Sequence, residues 1–141
     1  MDQESFNIVL DESVAYSPES EMGMIQLVRK GISKKALLNL SELAGISLKK
    51  LSELLPVSER TLQRYSDNDR LGSAVSEHVI LMVKVLLRAS EIFGDTEAAR
   101  IWLNSSIPAL SNNTPLSLLD TSFGAQLVMD ELGRLEAGVY S

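Results

Sequence analysis

From Ser17 onward, apolar positions recur at helical spacing, and Ser, Thr, Asp, Gly and Pro stand where helices should begin and end. Ser17 with Pro18 predicts an N-cap and first-turn proline for a helix that carries Met22, Ile25, Leu27 and Val28 and closes at Arg29-Lys30-Gly31. Ser33 predicts the cap of a second helix, with Leu37, Leu38, Leu40 and Leu43 apolar and Gly45 at its end. Ser47 opens a third, Leu48 to Leu55, stopped by Pro56, and Ser58 a fourth, from Glu59 to about Ser66. After the polar loop 67–73, a long helix is expected from about Ala74 to Phe93, ended by Gly94. It is apolar almost all round, so it must be central, covered by neighbours on several sides or by a second subunit. The same grammar then repeats: Asp95 caps Thr96 to Leu103, Thr114-Pro115 starts a short helix to Leu119, and Thr121 or Ser122 caps a last one reaching about Ala137. Residues 104–113 read as a surface loop.

Only Ser5 to Leu10 could be a short strand, and an acidic, mobile lead-in fits as well. The expected fold is all-α: a helix-turn-helix domain followed by a small helical domain, joined through the long central helix. The divisions expected are a lead-in at 1–16, the helix-turn-helix domain at 17–72 and the second domain at 73–141.

The segment 48–65 has the shape of a helix-turn-helix. Leu51 and Leu55 on its first helix and Leu62 and Tyr65 on its second can close a small core, with Val57 pinning the turn. Arg60, Thr61, Gln63 and Arg64 then fall on or near the exposed side of the second helix. Arginine reads guanine edges bidentately, glutamine reads adenine, and threonine meets a phosphate or a thymine methyl. Ser58 caps this helix, while Ser47, Lys49 and Lys50 at the start of the first can meet the backbone, where they position without specifying. Such a turn usually holds a glycine at φ > 0, a conformation closed to Pro56, so this turn must be built differently. A plain helical hairpin with a charged surface is the competing reading.

Charge changes the weight of these alternatives. The 141-residue chain has a formal net charge of −6. Residues 1–28 contain six acids and no base, residues 29–70 nine bases and five acids, and residues 71–141 four bases and eight acids. The middle segment is therefore positive within an acidic protein, which suits double-stranded DNA as its partner, although on charge alone a solvated basic face fits equally well. A single short reading helix binds weakly, so at least a homodimer presenting two half-sites is expected. The composition, 45% hydrophobic and 23% charged, is that of an ordinary globular protein. The start shows no secretory signal, no run reaches membrane-spanning length, and the expected compartment is the cytoplasm.

Catalytic chemistry finds no candidate constellation. There is no cysteine and one histidine, His78, which excludes thiolate nucleophiles, His dyads and zinc spacings. Asp67-Asn68-Asp69 resembles the start of a calcium loop but lacks its glycine and closing glutamate. Asp130 and Glu131 are adjacent and point to different sides of a helix. The chain reads as a binding protein, not an enzyme, with no cofactor and no metal.

The second half is more specific. Phe93-Gly94, Ala98-Ala99-Arg100, Trp102-Leu103, Pro108-Ala109-Leu110, Thr114-Pro115, Leu118-Leu119-Asp120, Gly124, Gly133-Arg134 and Gly138-Val139-Tyr140 form one string of features. Together they resemble the toxin-binding domain of the Xre/MbcA/ParS antitoxin family, partners of RES-domain toxins, and Arg60 to Arg64 looks like that family's DNA-reading segment. The resemblance spans roughly residues 33–141. It implies a type II antitoxin that binds an NAD-consuming RES-domain toxin and represses its own operon. It also implies that the last residues lie over or in the toxin's cofactor pocket, making Arg134, Gly138, Val139, Tyr140 and Ser141 candidate toxin contacts. Trp102 joins them as a candidate, although a core role is the commoner one for a sole tryptophan. Two alternatives stay open: a helical oligomerising interaction module, and a stand-alone regulator without a toxin.

Overall fold

The computed structural model describes residues 3–12 and 19–139, which form eight α-helices and two 3₁₀ turns. In chain order the helices are α1 (Gln3–Leu10), α2 (Glu21–Lys30), α3 (Lys34–Ala44), α4 (Leu48–Leu54), α5 (Glu59–Gln63), α6 (Ser73–Phe93), α7 (Thr96–Leu103) and α8 (Ser122–Val139). The 3₁₀ turns, Pro108–Leu110 and Leu116–Asp120, lie between α7 and α8. Only isolated bridges, Ser33 with Arg70 and Ile107 with Asn113, have β pairing among the described residues. The expected all-α fold is the one observed.

Helix starts follow the predicted caps. The hydroxyls of Ser33, Ser47 and Ser58 and the carboxylate of Asp95 each accept a backbone N–H of the first turn, groups a helix cannot satisfy internally. Thr121 does the same for α8, accepting from Gly124 N at 3.0 Å. One start differs: α2 is capped by Ser20, which accepts from Gly23 N, and Ser17-Pro18 lies outside the described residues. A second difference concerns residues 5–10, which are helix rather than strand or loose lead-in. Phe6 and Leu10, four apart on α1, are both fully buried, and α1 packs on α3 and α6. Helical spacing puts this pair on one face and leaves Ile8 66% exposed, whereas a strand would have lined up residues 6, 8 and 10 on the same face.

The long helix α6 is the axis of the molecule. It packs against α1, α2, α3, α7, α8 and the second 3₁₀ turn, and none of residues 78–90 is fully exposed. Its burial on nearly every side explains why its apolar residues go all round. One continuous core runs from Phe6 and Leu37 through Val79, Met82 and Leu86 to Leu119, Val128 and Leu132. Truncating such a buried leucine typically costs about 2–5 kcal/mol.

The two halves are tied by more than α6. Arg100 on α7 donates to the carbonyls of Leu43 (2.8 Å) and Glu42 (2.6 Å), capping the end of α3 with a cation where the helix dipole favours one. The 3₁₀ turn Leu116–Asp120 packs on α4. At the other end, buried Ser76 accepts from Ile32 N and donates to Leu71 O, holding the loop before α6 against the start of α3. Gly31 makes this crossing possible: its φ is +83°, and a Cβ there would lie 2.3 Å from Leu71 O.

Candidate nucleic-acid and partner interfaces

The α4–α5 unit is closed by Leu51, Leu54, Leu55 and Leu62, all buried, with Val57 and Tyr65 half-buried beside them. The turn solves the proline problem without any left-handed residue. Leu55 is extended (φ −112°, ψ 152°), and Val57 N donates to Leu55 O at 2.8 Å across Pro56. Such a three-residue turn suits a central residue with φ near −75°, which proline's ring supplies. Lys34 Nζ donates to Tyr65 O at 2.8 Å, and the N–H groups of Lys34 and Lys35 donate to the carbonyls of Asp69 and Asp67. The chain leaving α5 is thereby strapped to the start of α3.

These supports leave a polar outer surface. Ser58, Arg60, Thr61, Gln63 and Arg64 are exposed on α5, as are Ser47, Lys49 and Lys50 at the start of α4. Ser58 Oγ accepts from Thr61 N (3.1 Å) and donates to Thr61 Oγ1 (2.9 Å), while Gln63 Nε2 donates to Glu59 Oε1 at 3.2 Å. Ser47 Oγ accepts from Lys50 N, so both serines are engaged as caps with an outer lone pair to spare. Lys49, Arg60 and Arg64 have no ion pair among the described residues, whereas Lys50 pairs with Glu53 at 3.6 Å.

The positive middle segment is partly neutralised from outside. Glu12, just past α1, meets Lys30 Nζ at 2.5 Å and Arg70 Nη1 at 2.5 Å, with its own side chain only 8% exposed. Burial alone raises a carboxyl pKa, but the hydrogen bonds from Arg70 and Lys30 outweigh it and hold Glu12 below the usual range. Of the bases counted in residues 29–70, Lys30 and Arg70 are therefore already partnered, as is Lys50 by Glu53; Lys49, Arg60 and Arg64 on and beside α4 and α5 have no ion pair among the described residues, nor do Arg29, Lys34 and Lys35.

In the second half, Trp102 stacks on Phe93 with ring centroids 5.5 Å apart and planes tilted by 40°, half-buried at the edge of the core. Arg134 and Gly138 are exposed on α8, and Arg134 also reaches back to the buried carboxylate of Glu131. Asp130 points outward to Gln126 while Glu131 points inward, so the adjacent carboxylates do face different sides. Val139 ends α8, and Tyr140 and Ser141 lie outside the described residues. Glu136 is held by Arg88 of α6 at 2.6 Å, which fixes the end of α8 to the central helix.

Sequence reasoning missed an apolar feature on the same helix. Phe123 is 85% exposed and Leu127 53%, one turn apart on α8. The exposed positions 123, 126, 127, 130, 133, 134, 137 and 138 form one face, opposite buried Ala125, Val128 and Leu132. No helix among the described residues is long and apolar enough to cross a membrane, and no group of three or more potential ligand side chains is placed to hold a metal ion there.

Comparison with known proteins finds a match for each half of the chain. Residues 23–84 match the family described as the antitoxin Xre-like helix-turn-helix domain, and residues 88–138 match the antitoxin Xre/MbcA/ParS C-terminal toxin-binding domain. An antitoxin Xre of Yersinia enterocolitica is 31% identical over 120 residues, covering 84% of this chain and 81% of that protein. An antitoxin Xre of Photorhabdus laumondii is 35% identical over 80 residues, 56% of this chain and 54% of its own length. A Prs ADP-ribosylating antitoxin of a Sphingobium species is 23% identical over 132 residues, covering 86% of this chain and 83% of that protein. With a toxin-binding half fused to a helix-turn-helix half and a relative of this identity matching along most of its length, the chain belongs to the Xre-type antitoxin family.

Proposed function

We propose that this antitoxin neutralises an NAD-consuming RES-domain toxin through residues 73–141 and represses its own operon through residues 17–72, acting by binding and not by catalysis. The observation that carries the reading is the pairing of two unlike surfaces on one core. Lys49, Arg60 and Arg64, exposed and without an ion pair among the described residues, stand on and beside α4 and α5, and a toxin-binding half packs against the same central helix. The name of the Sphingobium relative ties that protein to ADP-ribosylation, a reaction that spends NAD, which is in keeping with a toxin of this chemistry. Arg60, Gln63 and Arg64 read base edges, Thr61 and Ser58 meet the adjoining backbone, and Ser47, Lys49 and Lys50 fix the register from the neighbouring helix. Arg134 and Gly138 face the toxin, and Val139, Tyr140 and Ser141 extend into its cofactor pocket; Trp102 supports this surface from its place on Phe93.

DNA reading by a five-residue helix requires two copies, so the protein acts as a homodimer on a two-fold operator. A groove between α2 and α6, lined by Met24, Ile25, Ile80 and Leu81 with Arg29, Lys84 and Glu77, carries both charge signs, as a self-complementary contact needs. Light scattering at micromolar concentration is expected to give a dimer; a monomer there removes the two-half-site reading.

The deciding experiment is co-expression with the neighbouring gene. Growth rescue and co-purification are expected, and failure of both rejects neutralisation of a RES-domain toxin encoded there. For the DNA half, Arg60→Ala with Arg64→Ala is expected to weaken promoter binding in a mobility-shift titration by at least tenfold, each base contact being worth about 1–3 kcal/mol. Unchanged binding overturns the assignment of α5 as the reading helix.

A further inference from the structure

Two cations from distant parts of the chain meet on one carboxylate. Lys30 Nζ lies 2.5 Å from Glu12 Oε1, and Arg70 Nη1 lies 2.5 Å from Oε2, with Arg70 Nη2 completing a loose fork at 3.5 Å from Oε1. Each group is held in place by contacts of its own. Phe6 and Leu10 anchor α1 in the core, and Asn39 Nδ2 donates to Val9 O at 2.9 Å. Past the end of α1, Asp11 N donates to Ile8 O and Glu12 N to Asn7 O, with Asp11 left-handed at φ +51°. This capping turn brings Glu12 back toward the cations. Arg70 is fixed by its backbone bridge to Ser33 and by Nη1 donating to Gly31 O at 3.0 Å, while Lys30 ends α2 just before Gly31.

The cations are more open to solvent than the acid they hold. Side-chain exposure is 57% for Lys30 and 42% for Arg70, against 8% for Glu12, so an anion arriving from outside meets the cations first. Ion pairs with exposed partners add little to stability, and exchanging one anion for another on these cations costs the fold little. The pair also adjoins the reading helix. The chain leaving α5 is strapped to the start of α3 by Lys34 Nζ on Tyr65 O and Lys34 N on Asp69 O, and Arg70 is the next residue. A helix seated in a groove has the nucleic-acid backbone running past its flanks. We propose that Lys30 and Arg70 form a binding site for a backbone phosphate of the DNA, which Glu12 occupies in the free protein, so that the end of α1 restrains DNA binding as an internal competitor.

The chemistry of the pair suits a phosphodiester. Arginine bonds two of its oxygens in a fork, and lysine adds a compact point charge. With Glu12 in place, two cations and one carboxylate leave a single positive charge; once a phosphate displaces the carboxylate, both cations count toward the DNA. Duplex DNA is the source of the phosphate because the site belongs to residues 29–70, the one positive stretch of the chain, and shares it with exposed Arg60 and Arg64. Residues 1–28, with six acids and no base, oppose a polyanion, and Glu12 is where this acidic segment grips the cationic one. The proposal rests on the DNA-binding reading and adds to it a phosphate contact outside α4 and α5 together with a restraint on that contact.

The test is a promoter mobility-shift titration of the full chain over a range of salt concentrations. Glu12→Gln keeps the shape of the side chain and removes its charge. It is expected to tighten binding about tenfold at low salt and to steepen the fall of log K with log salt by about one or more, since each released cation then neutralises phosphate. Adding Lys30→Ala and Arg70→Ala to Glu12→Gln should abolish the gain. Glu21→Gln, at an exposed acid on α2, makes the same change in net charge and should shift affinity less than about twofold. A gain that persists in the triple variant, or that Glu21→Gln equals, overturns the proposal. So does Glu12→Gln affinity within about twofold of wild type at an unchanged salt slope, which leaves the DNA reading intact. Should Glu12→Gln loosen α1, the triple variant shares that loss, and the difference between the two still isolates Lys30 and Arg70. Inorganic phosphate, exchanged for chloride at constant ionic strength, separates the sources. If it raises the melting temperature of Glu12→Gln but not of the triple variant, with no gain in promoter affinity, the site takes free phosphate and the DNA assignment is overturned. No promoter binding by either wild type or Glu12→Gln rejects the DNA-binding reading itself, and the proposal with it.

Discussion

The α4–α5 unit and the outer face of α8 are both exposed, yet they are built on opposite terms. α5 is five residues long, buries a single side chain, Leu62, and owes its place to Ser58, to the turn across Pro56 and to the strap from Lys34 to Tyr65. α8 is eighteen residues long, rests on α6 and the 3₁₀ turns, and is clamped at its far end by Arg88 to Glu136. The first offers charge and hydrogen-bond donors on a light support, as suits a groove lined by phosphates and base edges. The second exposes Phe123, Leu127 and the bare backbone of Gly133 on a helix held along its length. A polar interface announces itself by residue type, whereas an apolar one can be told from core only after the fold has been assembled.

If α8 is a platform set by its packing, the largest effect should come from Gly124→Ala. The added methyl meets the Leu118 carbonyl at 1.7 Å, and backbone on both sides must move. We expect a loss of about 3 kcal/mol or more in chemical denaturation, at the severe end for overpacking, together with loss of toxin binding. A variant with wild-type stability would mean that α8 can slide on the 3₁₀ turn, and the contrast between platform and annex would fail.

Leu62→Ala tests the other side of the comparison. It removes the only buried side chain of α5, a change that typically costs about 2–5 kcal/mol, but here the damage can be absorbed by release of one short helix. Promoter affinity should fall at least tenfold in a mobility-shift assay while the toxin is still retained on an affinity column. Equal loss of both activities would show that α5 is integral to the core and not an annex to it.

These same residues mark what could be read from the sequence. The caps at Ser33, Ser47, Ser58 and Asp95 and the all-round apolar α6 are local signals, and the helices lie where those signals put them. Arg60 and Arg64 stand out by residue type beside a capped short helix, and their exposure is as that position leads one to expect. Phe123 and Leu127 do not stand out, since on an apolar helix they look the same as Val128 and Leu132 until neighbours are placed. The lead-in failed for a related reason: its acids hid the i, i+4 pair Phe6 and Leu10, whose partners on α3 and α6 are remote in sequence. Likewise, the count of bases in residues 29–70 said nothing of Glu12, which takes two of them.

That contact gives the smallest effect and the sharpest sign. The folded-state pKa of Glu12 lies below its ordinary value of 4.5, so the ionised carboxylate stabilises the fold. A group with a depressed pKa contributes fully above the unfolded value and loses its contribution as pH falls through the folded one. Wild type should therefore melt a little higher than Glu12→Gln at pH 7 and still do so near pH 5, with the gap closing only as the pH drops below about 4.5. Salt should narrow the gap at neutral pH only modestly, because the carboxylate is largely shielded while its two cations are not. A gap independent of pH would mean that Glu12 acts through packing alone. Lys30 and Arg70 would then be as free for DNA as Arg60 and Arg64, and the cationic surface of the DNA-binding half would extend to them.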